Sequence, residues 1–387
     1  MGLADRMKEV GASSTLEITA KAKKMKAEGV DVVSFGAGEP DFDTPKNIKE
    51  AAKKAIDEGF TKYTPSGGTL ELKEAVCRKF KKDNNLDYKP SQVVVSCGAK
   101  HSIYNVIQVL TQKGDEVIIP SPYWVSYPEM VRLAEAKPVF VTTKRENGFK
   151  LTRDELKKAI TKKTKLIILN SPSNPTGTVY DQDELFFISE LAVDKGVHVL
   201  SDEIYEKILY DGARHISIAS FNDKIYNLAI VVNGVSKTYS MTGWRVGYLA
   251  GPQEIVTAID NLQSHSTSNP ASMSQKAALE AIQGDQGFIS DMVNEFKKRR
   301  DYMVGRLSGI NGFSPFVPRG AFYMFCEITK TGMNSVDLAN GLLNEAKVAV
   351  VPGAGFGWDN YVRISFATGM ETIKKGMDRI AEWAARR

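Results

Sequence analysis

The chain has 387 residues, 42% hydrophobic and 25% charged, and 51 Lys and Arg against 46 Asp and Glu give a net charge of +5. That balance excludes a disordered or fibrous chain, and so small a basic excess, scattered along the sequence, argues against a nucleic-acid partner. Three cysteines without a CxxC pair make no disulfide framework, and no run approaches the roughly 20 apolar residues of a membrane span.

In chain order, Met1–Val10 alternates charged and apolar residues without the hydrophobic core of a secretory signal, and Arg6 stands where a myristoylation signal needs Ser or Thr. A soluble, cytoplasmic chain is expected. Gly36–Asp41 (GAGEPD) supplies two glycines of a dinucleotide loop and then Asp where the third belongs. Asp41–Pro45 reads as a connection. From about residue 46 to 280, seven short runs read as buried strands: Val93–Cys97, Glu116–Pro120, Pro138–Thr142, Lys165–Asn170, Val197–Ser201, Leu228–Asn233 and Val246–Ala250. They are β-branched and bounded by Gly, Pro, Ser or Asn. Between them run amphipathic helices, with Ile103, Val106, Ile107 and Leu110 on one face of the first and Leu185, Ile188 and Leu191 on one face of another. Strands apolar on both sides that alternate with helices predict an α/β fold on a mostly parallel sheet. The last hundred residues differ. A charged helix (Asp291–Leu307) precedes a Gly- and Pro-rich segment (Asn311–Gly320) and two strands, Phe322–Ile328 and Tyr361–Ala367, with an amphipathic helix between them. They predict a smaller α+β domain that the N-terminal arm joins, so the division expected is 46–282 against 1–45 with 283–387.

No Gly-Lys dipeptide occurs, so the acidic strand end His198–Glu203 has no phosphate loop with which to act as an ATPase. Four histidines without paired spacing argue against a metal site, and each reads as a packing or surface residue. What remains is polar residues at the carboxyl ends of apolar strands, where open α/β sheets bind ligands. Ser96–Lys100 (SCGAK) ends a strand in a small-residue turn and opens a helix, which is either an ordinary turn or an anion cradle. Asn170–Gly177 (NSPSNPTG) is held extended by two X-Pro steps and presents Asn174. Asp202 follows an apolar strand, with Tyr205 three residues on. It either caps the next helix or, at the edge of a low-dielectric interior, needs a cationic partner. Lys237 lies past a buried strand in a Gly- and Ser-rich loop, a candidate desolvated amine, and Arg245 eight residues on suits a phosphate dianion. Arg363, in the middle of an alternating strand, is a structural ion pair or a carboxylate clamp. Cradle, amine, buried acid, phenol and amide donors and clamp together match pyridoxal phosphate, held by a lysine Schiff base with an acid on its ring nitrogen.

The blocks Ala37–Pro45 (AGEPDFDTP), Thr61–Tyr63 (TKY), Ser121–Tyr127 (SPYWVSY), Asn170–Gly177, Ser201–Tyr205 (SDEIY), Ser236–Gly247, Gly320–Tyr323 (GAFY) and Val351–Gly353 (VPG) carry a resemblance. In these the chain resembles the class I aminotransferases of fold type I, and their bacterial aspartate-using branch in particular. The resemblance implies a pyridoxal-phosphate-dependent transferase fold with a large domain on a seven-stranded, mostly parallel sheet plus a small α+β domain. It also implies a homodimer with shared active sites. By the same resemblance Lys237 is the Schiff-base lysine, Asp202 keeps the ring nitrogen protonated, Tyr205 and Asn174 bond the ring hydroxyl, and Trp124 stacks on the ring. Ser236, Arg245 and the backbone amides of Gly98, Ala99 and Lys100 hold the phosphate, and Tyr63 reaches it from the neighbouring subunit. Arg363 clamps the substrate α-carboxylate with Asn174 and the Gly38 amide. Ser173 stands where relatives often carry Asn.

The activity so implied is a ping-pong transfer of the amino group of L-aspartate to 2-oxoglutarate. One branch of the family uses an Arg of the second subunit for the side-chain carboxylate, and Gln263–Pro270 offers none. The other branch uses a Lys after the phosphate turn with Ser and Thr of the N-terminal arm, which Lys100, Ser13 and Thr15 match. The same three residues suit prephenate as a further acceptor. Alternatives are an aminotransferase for aromatic amino acids or alanine and a β-lyase using the same cofactor. Outside enzymes, the alternative is a pyridoxal-binding regulator, for whose DNA-binding domain the chain leaves no room.

Overall fold

The computed structural model describes residues 2–11 and 14–387. Seven strands form the main sheet: β1 (Val93–Ser96), β2 (Glu116–Ser121), β3 (Lys137–Thr142), β4 (Thr164–Asn170), β5 (His198–Asp202), β6 (Ala229–Gly234) and β7 (Gly247–Ala250). Their order across the sheet is β1-β7-β6-β5-β4-β2-β3, with β7 antiparallel to both neighbours and every other pairing parallel. The expected strands are thus all present, with two adjustments. Asp202 is the last residue of β5 rather than the residue after it. And β3, read as buried, is an edge strand exposed at three of its six positions, because nothing pairs with its outer side.

Period-2 alternation sorts the buried side chains onto two faces. Val95, Ile118, Ile167, Val199 and Val231 pack in one cluster, and Val94, Val117, Ile119, Ile168, Leu200 and Ile230 in another. Among the helices are α1 (Ser14–Ala27), α2 (Leu70–Asn84), α3 (Ala99–Leu110), α4 (Ser126–Leu133), α5 (Gly287–Ser308) and α6 (Met370–Ala384). The start of α2 is capped by Thr69, whose hydroxyl accepts the Leu72 N–H, and its end is closed by Asn85 in the left-handed region at φ 55°. By contrast α3 begins at Gly98 with no side-chain cap.

A second core gathers Phe35, Phe296, Phe322, Phe366 and Trp383 from the N-terminal arm, α5, α6 and an antiparallel sheet built around β8 (Tyr323–Glu327) and β9 (Tyr361–Ser365). All five residues of β9 are buried, so the strand does not alternate as expected: it is covered on both faces. Ile204, Tyr205 and Ile208, in the turn after β5, pack into this second core. Among the described residues, no helix is long and apolar enough to cross a membrane.

Candidate active site

Parallel pairing aligns Asn170 at the end of β4 with Asp202 at the end of β5, and Asp202 with Val232 in β6. The carboxyl ends of these strands therefore open side by side, and the loop after β6 carries Lys237 back over them. A cavity of about 580 Å³ lies there, between the sheet end, α1, α3 and the second core. Ala99, Lys100, Trp124, Asn174, Asp202, Tyr205, Ser236, Lys237, Arg245, Arg363 and Gly38 all line it.

At its base is Asp202, buried, with Oδ2 accepting the Tyr127 hydroxyl at 2.6 Å and Oδ1 the Ile204 N–H at 3.3 Å. Burial drives its pKa up to about 6, against the pull of those two donors and of Lys237. The Lys237 Nζ donates to the Gly38 carbonyl at 2.5 Å. Burial lowers its pKa to about 8, with Arg363 and Arg245 adding to the effect and Glu39 opposing it. Tyr205 and Tyr323, both buried, share a hydroxyl hydrogen bond of 2.9 Å.

The phosphate-sized end is built from backbone. Gly98 adopts φ +91°, and a Cβ there would lie 2.4 Å from Arg245 Nη2, so only glycine lets the guanidinium close on the turn. A Cβ on Gly247 would lie 2.1 Å from the Ala99 nitrogen. Arg245 donates to the carbonyls of Thr242 (2.8 Å) and Cys97 (3.3 Å), not to a carboxylate. The amides of Ala99 and Lys100 at the uncapped start of α3 have no acceptor among the described residues, whereas the Gly98 amide, expected in the same cradle, is turned to the Ser96 carbonyl at 2.7 Å by the tight turn. Free amides, a helix N-terminus, the Ser236 hydroxyl and a guanidinium make an anion cradle. Lys100 Nζ sits 4.9 Å from the centroid of the Trp124 ring, and burial, then Arg245, lowers its pKa.

Arg363 is buried in β9. Nη1 donates to Asn174 Oδ1 at 3.0 Å and Nη2 to the Gly36 carbonyl at 3.1 Å, while Nε has no partner. Its guanidinium lies 4.4 Å from the Tyr323 ring centroid and pairs with no described carboxylate. A buried cation with an unused donor calls for an anion. The cavity thus holds an acid short of a cation, a guanidinium short of a carboxylate, an anion cradle and an amine with a depressed pKa. Pyridoxal phosphate with an amino acid fits all four.

Tyr63 does not join this cavity; it is 90% exposed on the surface. Ser13 and the side chain of Thr15 lie outside the described residues. Among the lining residues without a sequence-assigned part are Tyr127, Tyr323, Glu39 and Thr242. Tyr127 ends the same block, Ser121–Tyr127, that holds Trp124, and that signal was available. Glu39 and Thr242, joined by a 2.7 Å hydrogen bond between distant segments, carry none.

Residues 30–380 match the family described as aminotransferase class I and II. An aspartate aminotransferase of Bacillus sp. (strain YM-2) is 51% identical over 383 residues, covering 98% of both chains. A probable aspartate/prephenate aminotransferase of Aquifex aeolicus is 47% identical over 385 residues, again 98% of both. An aspartate aminotransferase of Thermus thermophilus solved with maleate superposes with a TM-score of 0.96 at 40% identity, covering 99% of this chain and 100% of that one.

Proposed function

The chain belongs to the class I and II aminotransferases, and from that premise we propose that it transfers the amino group of L-aspartate to 2-oxoglutarate with pyridoxal 5'-phosphate as cofactor. One observation carries the reading: a low-pKa lysine, a buried acid and a buried, carboxylate-free arginine line one cavity. When bound, the cofactor supplies an aldehyde that condenses with amines and a protonated ring that takes up the electron pair left by deprotonation.

Lys237, with its pKa near 8, keeps a usable neutral fraction at physiological pH, which both attack on a carbonyl and proton abstraction require. It would take the proton from the substrate Cα and deliver that proton to the cofactor's former aldehyde carbon. Asp202 would face the ring nitrogen and hold its proton, the Tyr127 hydroxyl fixing the carboxylate. The amides of Ala99 and Lys100, with Ser236 and Arg245, would hold the phosphate; Trp124 would cover the ring, and Tyr205 and Asn174 would bond its hydroxyl. Arg363, with Asn174 and the Gly38 amide, would orient the α-carboxylate so that the Cα–H bond meets Lys237. Lys100, with Ser13 and Thr15, would take the distal carboxylate.

The exposed Tyr63 supports a homodimer in which this side chain completes the neighbour's phosphate site. The separate hydrophobic clusters support a small domain, built from 1–45 and 283–387, beside a large domain of residues 46–282. Prephenate as a further acceptor is favoured by the name of the Aquifex aeolicus relative. Adding aspartate to the purified holoenzyme should convert the absorbance of lysine-bound cofactor to that of its aminated form, and borohydride should label Lys237. A spectrum that aspartate leaves unchanged, or a label on another residue, would refute the reading.

A further inference from the structure

The cavity does not end at Lys100. It runs on to α1, where Ala22, Lys23 and Lys26 line it. Ala22 is the buried anchor of that helix segment, while Lys23 and Lys26, three residues apart and so on one helix face, are exposed. Neither pairs with a carboxylate among the described residues, although their neighbour Lys24 reaches Glu28 at 4.0 Å. Along the whole wall, Lys23, Lys26, Lys100, Lys237, Arg245 and Arg363 face only two acids, Asp202 and Glu39. Glu39 is in turn held by the Thr242 hydroxyl.

The four inner cations have work in the proposed reaction; the two at the mouth have none. Like charges around a concave, low-dielectric opening focus the field and raise the local concentration and capture rate of counter-ions. The attraction grows with the charge of the visitor. At neutral pH 2-oxoglutarate carries two negative charges, aspartate one net negative charge, and phenylalanine none. We infer that Lys23 and Lys26 form an outer capture site that selects dicarboxylates by net charge before they reach Lys100 and Arg363. The inference rests on the dicarboxylate reading of the active site.

The test is the holoenzyme with Lys23→Gln and Lys26→Gln together, assayed in both half-reactions at low and high ionic strength. At low salt kcat/KM should fall about tenfold for 2-oxoglutarate, about threefold for aspartate and less than about twofold for phenylalanine. High salt should close the gap to wild type, because a Debye length of about 3 Å at 1 M leaves no field at the mouth. Association of succinate, a dianion that is not turned over, should slow in parallel. Losses equal for all three substrates, or insensitive to salt, would show a structural role and overturn the inference. Wild-type enzyme that shows no preference for aspartate over phenylalanine would sink the dicarboxylate reading itself. A wild type with that preference, whose double variant keeps the low-salt values, would sink the capture site alone.

Discussion

The turn from Asp202 to Glu206 presents two sides that handle charge in opposite ways. At the end of β5 and in the turn that follows, Asp202 and Tyr205 line the cavity while Glu203 and Glu206 make their bonds away from it. On the far side every charge is answered from within the chain. Glu203 accepts the hydroxyls of Ser201 (2.9 Å) and Ser217 (2.6 Å) and pairs with His215 Nε2 at 2.9 Å. Glu206 pairs with Lys79 of α2 and accepts Asn84 Nδ2 at 3.0 Å. Burial alone would raise the Glu206 pKa, but Lys79 and His215 carry it down to about 2. For His215 burial is outweighed by Glu203, so its pKa is raised. On the cavity side, Asp202 and Arg363 are as deeply buried yet form no salt bridge among the described residues. Burial of a charge is costly, so closed networks serve the fold and open ones await a ligand.

The comparison breaks most visibly at Lys79. Lys79→Met leaves Glu206 buried and unpaired and should cost about 3–5 kcal/mol of stability. Adding Glu206→Leu should recover much of the loss, both read as unfolding midpoints; a single variant as stable as wild type would show the pair to be idle. Arg363→Met is the counterpart. It removes a buried cation that no described carboxylate neutralises, so stability should hold. Meanwhile kcat/KM for aspartate should fall by about 2–5 kcal/mol in transition-state terms. A large drop in melting temperature would mean that Arg363 serves the fold instead.

The smallest effect concerns pH. The Asp202 pKa rises from 3.8 to about 6 on folding, so its contribution is fully present below 3.8 and is lost as pH rises through 6. Cofactor-free Asp202→Asn should therefore be more stable than wild type above pH 6, and the gap should close near pH 4. Glu206 has the opposite sign: its folded pKa is depressed, so its stabilisation is present above about 4.5 and is lost as pH falls toward 2. Unfolding midpoints from pH 3 to 8 on apo protein would check both, and a pH-independent difference for the Asp202 variant would refute the assignment.

His215 shows where sequence reading reached its limit. It reads as a packing or surface histidine, yet it belongs to a buried ion pair whose partner, Glu203, lies on another segment. Lys79 is equally silent, as one lysine among several in α2 until the fold brings it to Glu206. Lys237, Asp202 and Asn174 were legible because each stands at the end of an apolar strand in its own local context of small residues, Pro or Gly. Arg363 was legible only as two alternatives. The buried β9 and the missing carboxylate favour the clamp over the structural ion pair.

The amino-acid order by itself determined the strands of the main sheet and the turn chemistry at their ends, though not the burial of β3 and β9, because periodicity and Gly, Pro and Ser preferences act over a few residues. It also carried the family blocks, and with them the expectation of a cofactor. Only tertiary structure decided which charges were neutralised and which were left open, since that depends on which distant segments meet. Whether a buried ion holds the fold together or waits for a substrate is a property of its neighbours across space, and those neighbours are chosen by packing.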